Sequence, residues 1–168
     1  MRDGAPLSLV LVDPDDLSEV ESIFDELTTY SLRVDGVPRR DSAAKSFATG
    51  LPPGCMPYGK HAFLAKRENL AVGLLDIVNG YPLPGTAFVG LLAVRESVQG
   101  LGIGRALFRE AEQFARNKLN ARTIRLAVVE TNPVFGFWTK MGLRSTGKTR
   151  PFEGETTTSR AVLMEKKL

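Results

Sequence analysis

Apolar residues recur along this chain in two rhythms, every second position or every third and fourth, and the rhythms change from segment to segment. Leu7 to Val12 predicts a first strand. Asp13-Pro14, with Asp16 close behind, predicts a helix start, and Leu17, Val20, Phe24 and Leu27 give that helix one apolar face to about Ser31. Arg33 to Lys60 is the least regular stretch, with Asp35-Gly36, Pro38-Arg39-Arg40, a short helix from Ser42 to Thr49, and Leu51-Pro52-Pro53-Gly54. It reads equally as a lid or substrate loop and as a plain surface connection.

Strands from His61 to Lys66 and from Leu70 to Val78 are joined by the polar turn Arg67-Glu68-Asn69. After a break at Asn79 to Gly85, Thr86 to Val94 forms the next strand. The following helix buries Ile103, Ala106, Leu107, Ala111, Phe114 and Ala115. Arg122 to Val129 alternates as a strand. Asn132-Pro133 then opens a short helix through Phe135, Phe137, Trp138 and Met141, stopped by Gly142. Strands near Leu143 to Arg150 and Arg160 to Glu165 close the chain as a hairpin around Glu153-Gly154. No repeat, low-complexity tract or linker divides residues 1–168, which read as one domain, a mixed α/β sandwich around a single sheet.

Composition narrows the partners. The net charge is +3, and Lys and Arg are dispersed rather than massed, so nucleic-acid binding is not demanded and a polyanionic small molecule is equally well suited. Cys55 is the sole cysteine, which excludes an intramolecular disulfide and fits a reducing compartment. No apolar stretch reaches membrane-spanning length, and Met1-Arg2-Asp3-Gly4 is not followed by a signal-peptide core. The expectation is a cytoplasmic protein with neither membrane nor nucleic acid as partner.

The chemistry concentrates after Val94. Gly100, Gly102 and Gly104 alternate through a short turn and lead straight into the amphipathic helix. Amides at a helix start lack intrahelical partners and carry roughly half a positive charge between them. Glycines let another molecule come close to that backbone. The arrangement is an anion site, best suited to a phosphate or pyrophosphate. A P-loop would need Lys-Ser/Thr after its last glycine, and Arg105-Ala106 stands there instead. The dinucleotide fingerprint needs G-x-G-x-x-G after the first strand of a βαβ unit, whereas here G-x-G-x-G follows an antiparallel-looking run.

Gln99-Gly100-Leu101-Gly102-Ile103-Gly104 matches R/Q-x-x-G-x-G/A and resembles the acyl-CoA pyrophosphate loop of the GNAT N-acetyltransferase family. Leu91-Leu92-Ala93-Val94 resembles the bulged strand that precedes it in that family. Val128-Val129-Glu130-Thr131-Asn132, with Phe137-Trp138-Thr139-Lys140-Met141-Gly142-Leu143, resembles its next strand, helix and strand start. The similarity is strongest from Thr86 to Leu143. It implies a central mixed, mostly antiparallel sheet of six to seven strands flanked by about four helices, and an α/β (α+β) class. It also implies acetyl-CoA as cosubstrate without a metal, and direct transfer of acetyl to a primary amine on a small-molecule or peptide acceptor. A homodimer is favoured.

On that resemblance, backbone amides of Gln99, Gly100, Leu101, Gly102, Ile103, Gly104 and Arg105 hold the pyrophosphate. The pantetheine arm lies against Leu92 to Val94, and the Val94 amide polarises the thioester carbonyl and holds the oxyanion. Asn132 reads either as a pantetheine ligand or as the cap of its helix. Trp138 stands where many members carry a tyrosine that protonates the CoA thiolate. Indole is no usable proton source, so Trp138 is expected to pack against the CoA arm or the core.

No glutamate lies between Thr86 and Val94, where many relatives place one. Asp76, interrupting Leu74-Leu75-Asp76-Ile77-Val78, reads either as the base or as half of a structural ion pair. Glu130 is a second candidate base, or a solvated strand end. Tyr81 offers a hydroxyl near the acceptor, or loop packing. His61 has a suitable ordinary pKa but begins a strand. Arg105 and Arg109 could reach CoA phosphates, while solvent-facing helix arginines are the default. Arg39-Arg40 reads as an attraction for an acidic acceptor or as paired surface charge, and Cys55 as inert. An acetyl-CoA-dependent N-acetyltransferase is the reading; the alternative is a catalytically weak acyl-CoA-binding sensor of the same fold.

Overall fold

The computed structural model describes residues 4–168. Seven strands form one sheet in the order β1-β2-β3-β4-β5-β7-β6. They are β1 (Ser8–Leu11), β2 (Lys60–Arg67), β3 (Leu70–Asn79), β4 (Thr86–Val94), β5 (Thr123–Val129), β6 (Arg144–Glu153) and β7 (Thr158–Lys167). Every neighbouring pair is antiparallel except β4 and β5. Five helices cover it: α1 (Ser18–Glu26), α2 (Thr28–Asp35), α3 (Ala43–Thr49), α4 (Ile103–Asn117) and α5 (Phe135–Lys140). Among the described residues no helix is long and apolar enough to cross a membrane.

Strand alternation sends side chains to two cores. Phe63, Leu75, Ile77 and Val89 meet Ile103, Leu107, Phe108 and Ala111 of α4, with Trp138 of α5, on one face. Ala62, Leu64, Leu74 and Ala93 meet Val20, Ile23, Phe24 and Phe47 of α1 and α3 on the other. Glu68 and Asn69 both take positive φ, 50° and 65°, so the β2–β3 connection is the tight turn that a polar pair favours. The α4 stripe includes Phe108, at 1% exposure, which the sequence pattern passed over; Ala106 and Phe114 are only half-buried.

Two helix starts differ from expectation. Asp13-Pro14 makes a turn rather than a first helical turn: Asp13 Oδ1 accepts the Asp15 amide at 2.9 Å. Leu17 holds the cap position of α1, and Asp16 just ahead of it braces the entry, its Oδ1 accepting the Ser18 amide at 3.2 Å and the Ser18 hydroxyl at 2.7 Å. The expected single helix to Ser31 is two, interrupted at Leu27. The interruption exposes amides at the start of α2, and Glu96 takes one of them, with Oε1 2.7 Å from the Thr29 nitrogen. In the chain's second half, Val134 occupies the cap position of α5 and Asn132 lies ahead of it, its carbonyl accepting the Val134 amide at 2.8 Å. The reading of Asn132 as the helix cap is thereby corrected: the first helical turn begins after Pro133, not at it.

Candidate active site

The site begins with one extra residue in β4. Asp76 pairs with Leu91 and Ile77 with Val89, so Gly90 has no partner on β3 and forms a bulge. Pairing between β4 and β5 runs only from Thr86–Thr123 to Val89–Leu126 and stops there. Beyond this point the two strands diverge around a cleft of about 740 Å3, lined by Gly90 to Val94 on one side and Leu126 to Val129 on the other.

The cleft wall presents donors. The Arg95 amide bonds the Val72 carbonyl at 2.9 Å, which sets the phase of the antiparallel ladder. With Gly73 opposite Val94 and Leu75 opposite Leu92, the amides of Val94 and Leu92 turn away from β3, toward the cleft. The Val94 carbonyl points the same way and accepts Gln99 Nε2 at 2.9 Å. Gln99 therefore uses its side chain to tie the glycine turn to the end of β4.

Within that turn Gly100 and Gly102 sit at φ 81° and 77°, a conformation that glycine adopts without strain. The amides from Gly100 through Arg105 have no hydrogen-bond partner among the described residues. Six consecutive unsatisfied donors at the start of a 15-residue helix make a concentrated anion site. Gly100, Gly102, Ile103, Gly104 and Arg105 all line the cleft; the Leu101 side chain is 52% exposed and does not. A methyl on Gly104 would stand 3.5 Å from the Phe137 ring, in ordinary contact, so this third glycine faces α5 without being required for its approach.

The loop before the turn is anchored to α1. Arg95 donates to the Ala71 carbonyl at 2.6 Å, to Glu26 Oε1 at 2.8 Å and to Ser22 Oγ at 2.9 Å. Ser97 donates to Glu26 Oε2 at 2.7 Å, and that bond, aided by Arg95, holds the Glu26 carboxyl below its usual pKa.

A second, smaller cavity of about 170 Å3 lies on the α1–α3 side of the sheet, and Tyr30, Gly90 and Leu91 are walls of both. Asp76 lines it. Lys60 holds Asp76 Oδ2 at 2.7 Å, while Oδ1 is shut from solvent without a partner among the described residues. Burial pushes the Asp76 carboxyl up to about 6, against the opposing pull of Lys60. The space Asp76 fills belongs to Gly90: a methyl there would stand 2.5 Å from Oδ2. Tyr30 is pushed up to about 12, chiefly by burial, reinforced by Asp35 and opposed by Arg40.

The other sequence candidates separate clearly. Asn132 and Trp138 line the cleft, and Trp138 also packs edge-on to Phe108 and Phe137, at 8% exposure. Glu130 is exposed past the end of β5, its amide donating to the Arg160 carbonyl, and it lines neither cavity; it is the solvated strand end. Tyr81 lies at the opposite end of β4, edge-on to Phe88 and 3.5 Å from Arg150, also off both cavities, so it packs within its loop rather than lining the site. His61 packs between Phe63 and Phe114, and burial lowers its pKa. Tyr30, Lys60 and Asp35 were not among the candidates. None left a trace in the sequence: a regular ladder about Glu68-Asn69 would set His61 opposite Asp76, and only the register shift between Ala65 and Lys66 brings Ala62 opposite it, with Lys60 diagonal on the same face.

The site is thus a mixed sheet split between β4 and β5, with an amide-rich turn at the mouth of the cleft. The model of the acetyltransferase (GNAT) family matches residues 22–143, and the chain belongs to that family. Among solved structures it resembles an acetyltransferase from Thermus thermophilus, at 25% identity and a TM-score of 0.73 over 99% of this chain and 100% of that one. It also resembles spermidine N-acetyltransferase from Vibrio cholerae in complex with CoA and spermine, at 16% identity and 0.71, covering 96% and 95%. PaiA N-acetyltransferase from Thermoplasma acidophilum in complex with coenzyme A follows at 17% and 0.65, covering 96% and 99%. No curated protein matches the sequence.

Proposed function

We propose that this protein is an N-acetyltransferase that uses acetyl-CoA to acetylate a primary amine. The observation that carries the reading is the run of unsatisfied amides from Gly100 to Arg105, opening on the same cleft as the unpaired amides of Leu92 and Val94. The first set suits a pyrophosphate, and the second suits the amide-rich arm and carbonyl of an acyl-pantetheine. A cleft without obstructing side chains at Gly100 and Gly102 fits that ligand.

Acetyl-CoA supplies the acetyl group as a reactive thioester. The Val94 amide donates to the carbonyl oxygen and stabilises the negative charge that develops there; fixed donors of this kind are worth about 3–4 kcal/mol each. Asn132 and the Trp138 ring border the arm. Asp76 takes a proton from the acceptor's ammonium, which frees the amine lone pair to attack the thioester carbon; the adduct collapses by breaking the C–S bond, and the departing coenzyme A thiolate takes up the second proton that the nitrogen sheds. Its pKa of about 6 leaves it ionised at neutral pH yet basic enough to accept a proton, and Lys60 keeps it oriented. Gly90, lacking a side chain, lets a carboxylate from β3 reach the bulge of β4. Tyr30 stands where the two cavities meet.

Incubating the protein with acetyl-CoA and a panel of amines, while following free thiol, tests the reading. Turnover on an amine supports it, and none across the panel refutes it. Gly102→Asp would set a carboxylate beside the pyrophosphate and force a side chain onto a backbone at φ 77°, and it is expected to weaken coenzyme A binding at least about 100-fold through repulsion and a distorted turn. Unchanged affinity would remove the turn from the donor site.

A further inference from the structure

The smaller cavity carries opposite charges at separate places. Asp76 is committed to Lys60, and Arg39 to Glu21 and Asp25. Arg40 also lines the cavity, but it has no ion pair among the described residues, and its Nε is buried without a hydrogen-bond partner. Asp35 is close enough to interact with Arg40, yet makes no hydrogen bond or ion pair with it. A buried guanidinium nitrogen without an acceptor is costly, and a planar fork of donors is matched best by a carboxylate.

Resting on the N-acetyltransfer reading, we propose that the smaller cavity is the acceptor subsite and that it takes a compact amino acid, its amine facing Asp76 at the Gly90 opening and its carboxylate bound by Arg40. A cavity of about 170 Å3 lies below the ~300 Å3 at which drug-sized ligand sites begin, so the acceptor is small. A polyamine would bring a second cation against Arg40. A carboxylate there completes the guanidinium's missing bond, while Asp35 limits the cationic excess to a single position.

The test is calorimetric titration of the free amino acids into the protein with and without coenzyme A. For the tightest binder, its carboxamide and its decarboxylated amine are titrated as well. The free amino acid is expected to bind about 10- to 100-fold more tightly than either, the worth of a hydrogen bond to a charged group. Arg40→Gln is expected to erase that preference, and Arg40→Lys to keep part of it, with thermal melting showing that both variants are folded. Tighter binding of the decarboxylated amine, no binding of any amino acid, or a preference that survives in folded Arg40→Gln overturns the proposal. Acetyl transfer to the same compounds is read separately. Amino-acid binding without thiol release would leave the acceptor subsite standing and refute the transferase reading; transfer to amines without a carboxylate preference would do the reverse.

Discussion

Replacing Asp76 by Asn tests the assignment of the base most directly. The two side chains have nearly the same shape, and the amide oxygen can still accept from Lys60, so the change removes proton affinity with little loss of packing. The magnitude follows from the site. Burial raises the carboxyl from 3.8 to about 6 despite Lys60. That is about 3 kcal/mol of added preference for the protonated form, at 1.36 kcal/mol per unit. The sign is fixed: Asp76 is protonated and inert as a base below about 6, so activity is expected to rise with pH through that value and level off above it. Asp76→Asn is expected to lower kcat/KM by about 100- to 1,000-fold and to abolish the rising limb. Lys60→Met removes only the group that opposes the upward shift, so its limb is expected to move to higher pH, a displacement that a merely structural ion pair would not produce. The assay is thiol release across about pH 5 to 9, with coenzyme A affinity as the control for the fold. Activity in Asp76→Asn within about threefold of the parent, with the limb in place, would refute the assignment.

Two other substitutions probe the geometry. Gly90→Ala has no left-handed backbone to strain, but its methyl would meet Asp76 Oδ2 at 2.5 Å; kcat should fall while coenzyme A binds as before, and an unchanged kcat would show that the carboxylate need not occupy that space. Leu107→Ala, at a fully buried position between α4 and the sheet, should cost about 2–5 kcal/mol in denaturant unfolding, and a loss under about 1 kcal/mol would mean that this core collapses around the deletion.

What could be read from the sequence was what short-range chemistry specifies. The Glu68-Asn69 turn, the strand alternation of β5 and the glycine turn each depend on residues that are neighbours in the chain. The amide exposed by the split at Leu27 is taken by Glu96, 67 residues from Thr29 in the chain, and no local pattern encodes that. The site divides the same way. Gln99 to Arg105 form one contiguous backbone feature, legible in its glycines. The small cavity gathers Tyr30 and Asp35 from α2, Arg40 from the loop beyond it and Asp76 from β3, joined only by tertiary packing. Asp76 stood out because a carboxylate in an apolar strand needs a partner. Tyr30 and Asp35, on a helix of ordinary composition, gave no such signal. Asn132-Pro133 carried a genuine helix-start pattern, overridden by a chain that extends for two more residues before it coils.

The bulge at Gly90 has a consequence for how this family member can change. Within their paired stretch β4, from Ala87 to Val94, uses one residue more than β3 does from Gly73 to Asn79, and the divergence of β4 from β5 starts at that surplus. The opening is therefore a matter of chain length as much as of residue type. Exchanging Gly90 for another amino acid leaves the extra unit in place and disturbs only its neighbours. Deleting it makes the ladder regular, lets β4 continue beside β5, and gives the Leu92 and Val94 amides sheet carbonyls instead of a ligand. A single-residue deletion would then close the sheet by completing it, and the binding edge would disappear into ordinary secondary structure.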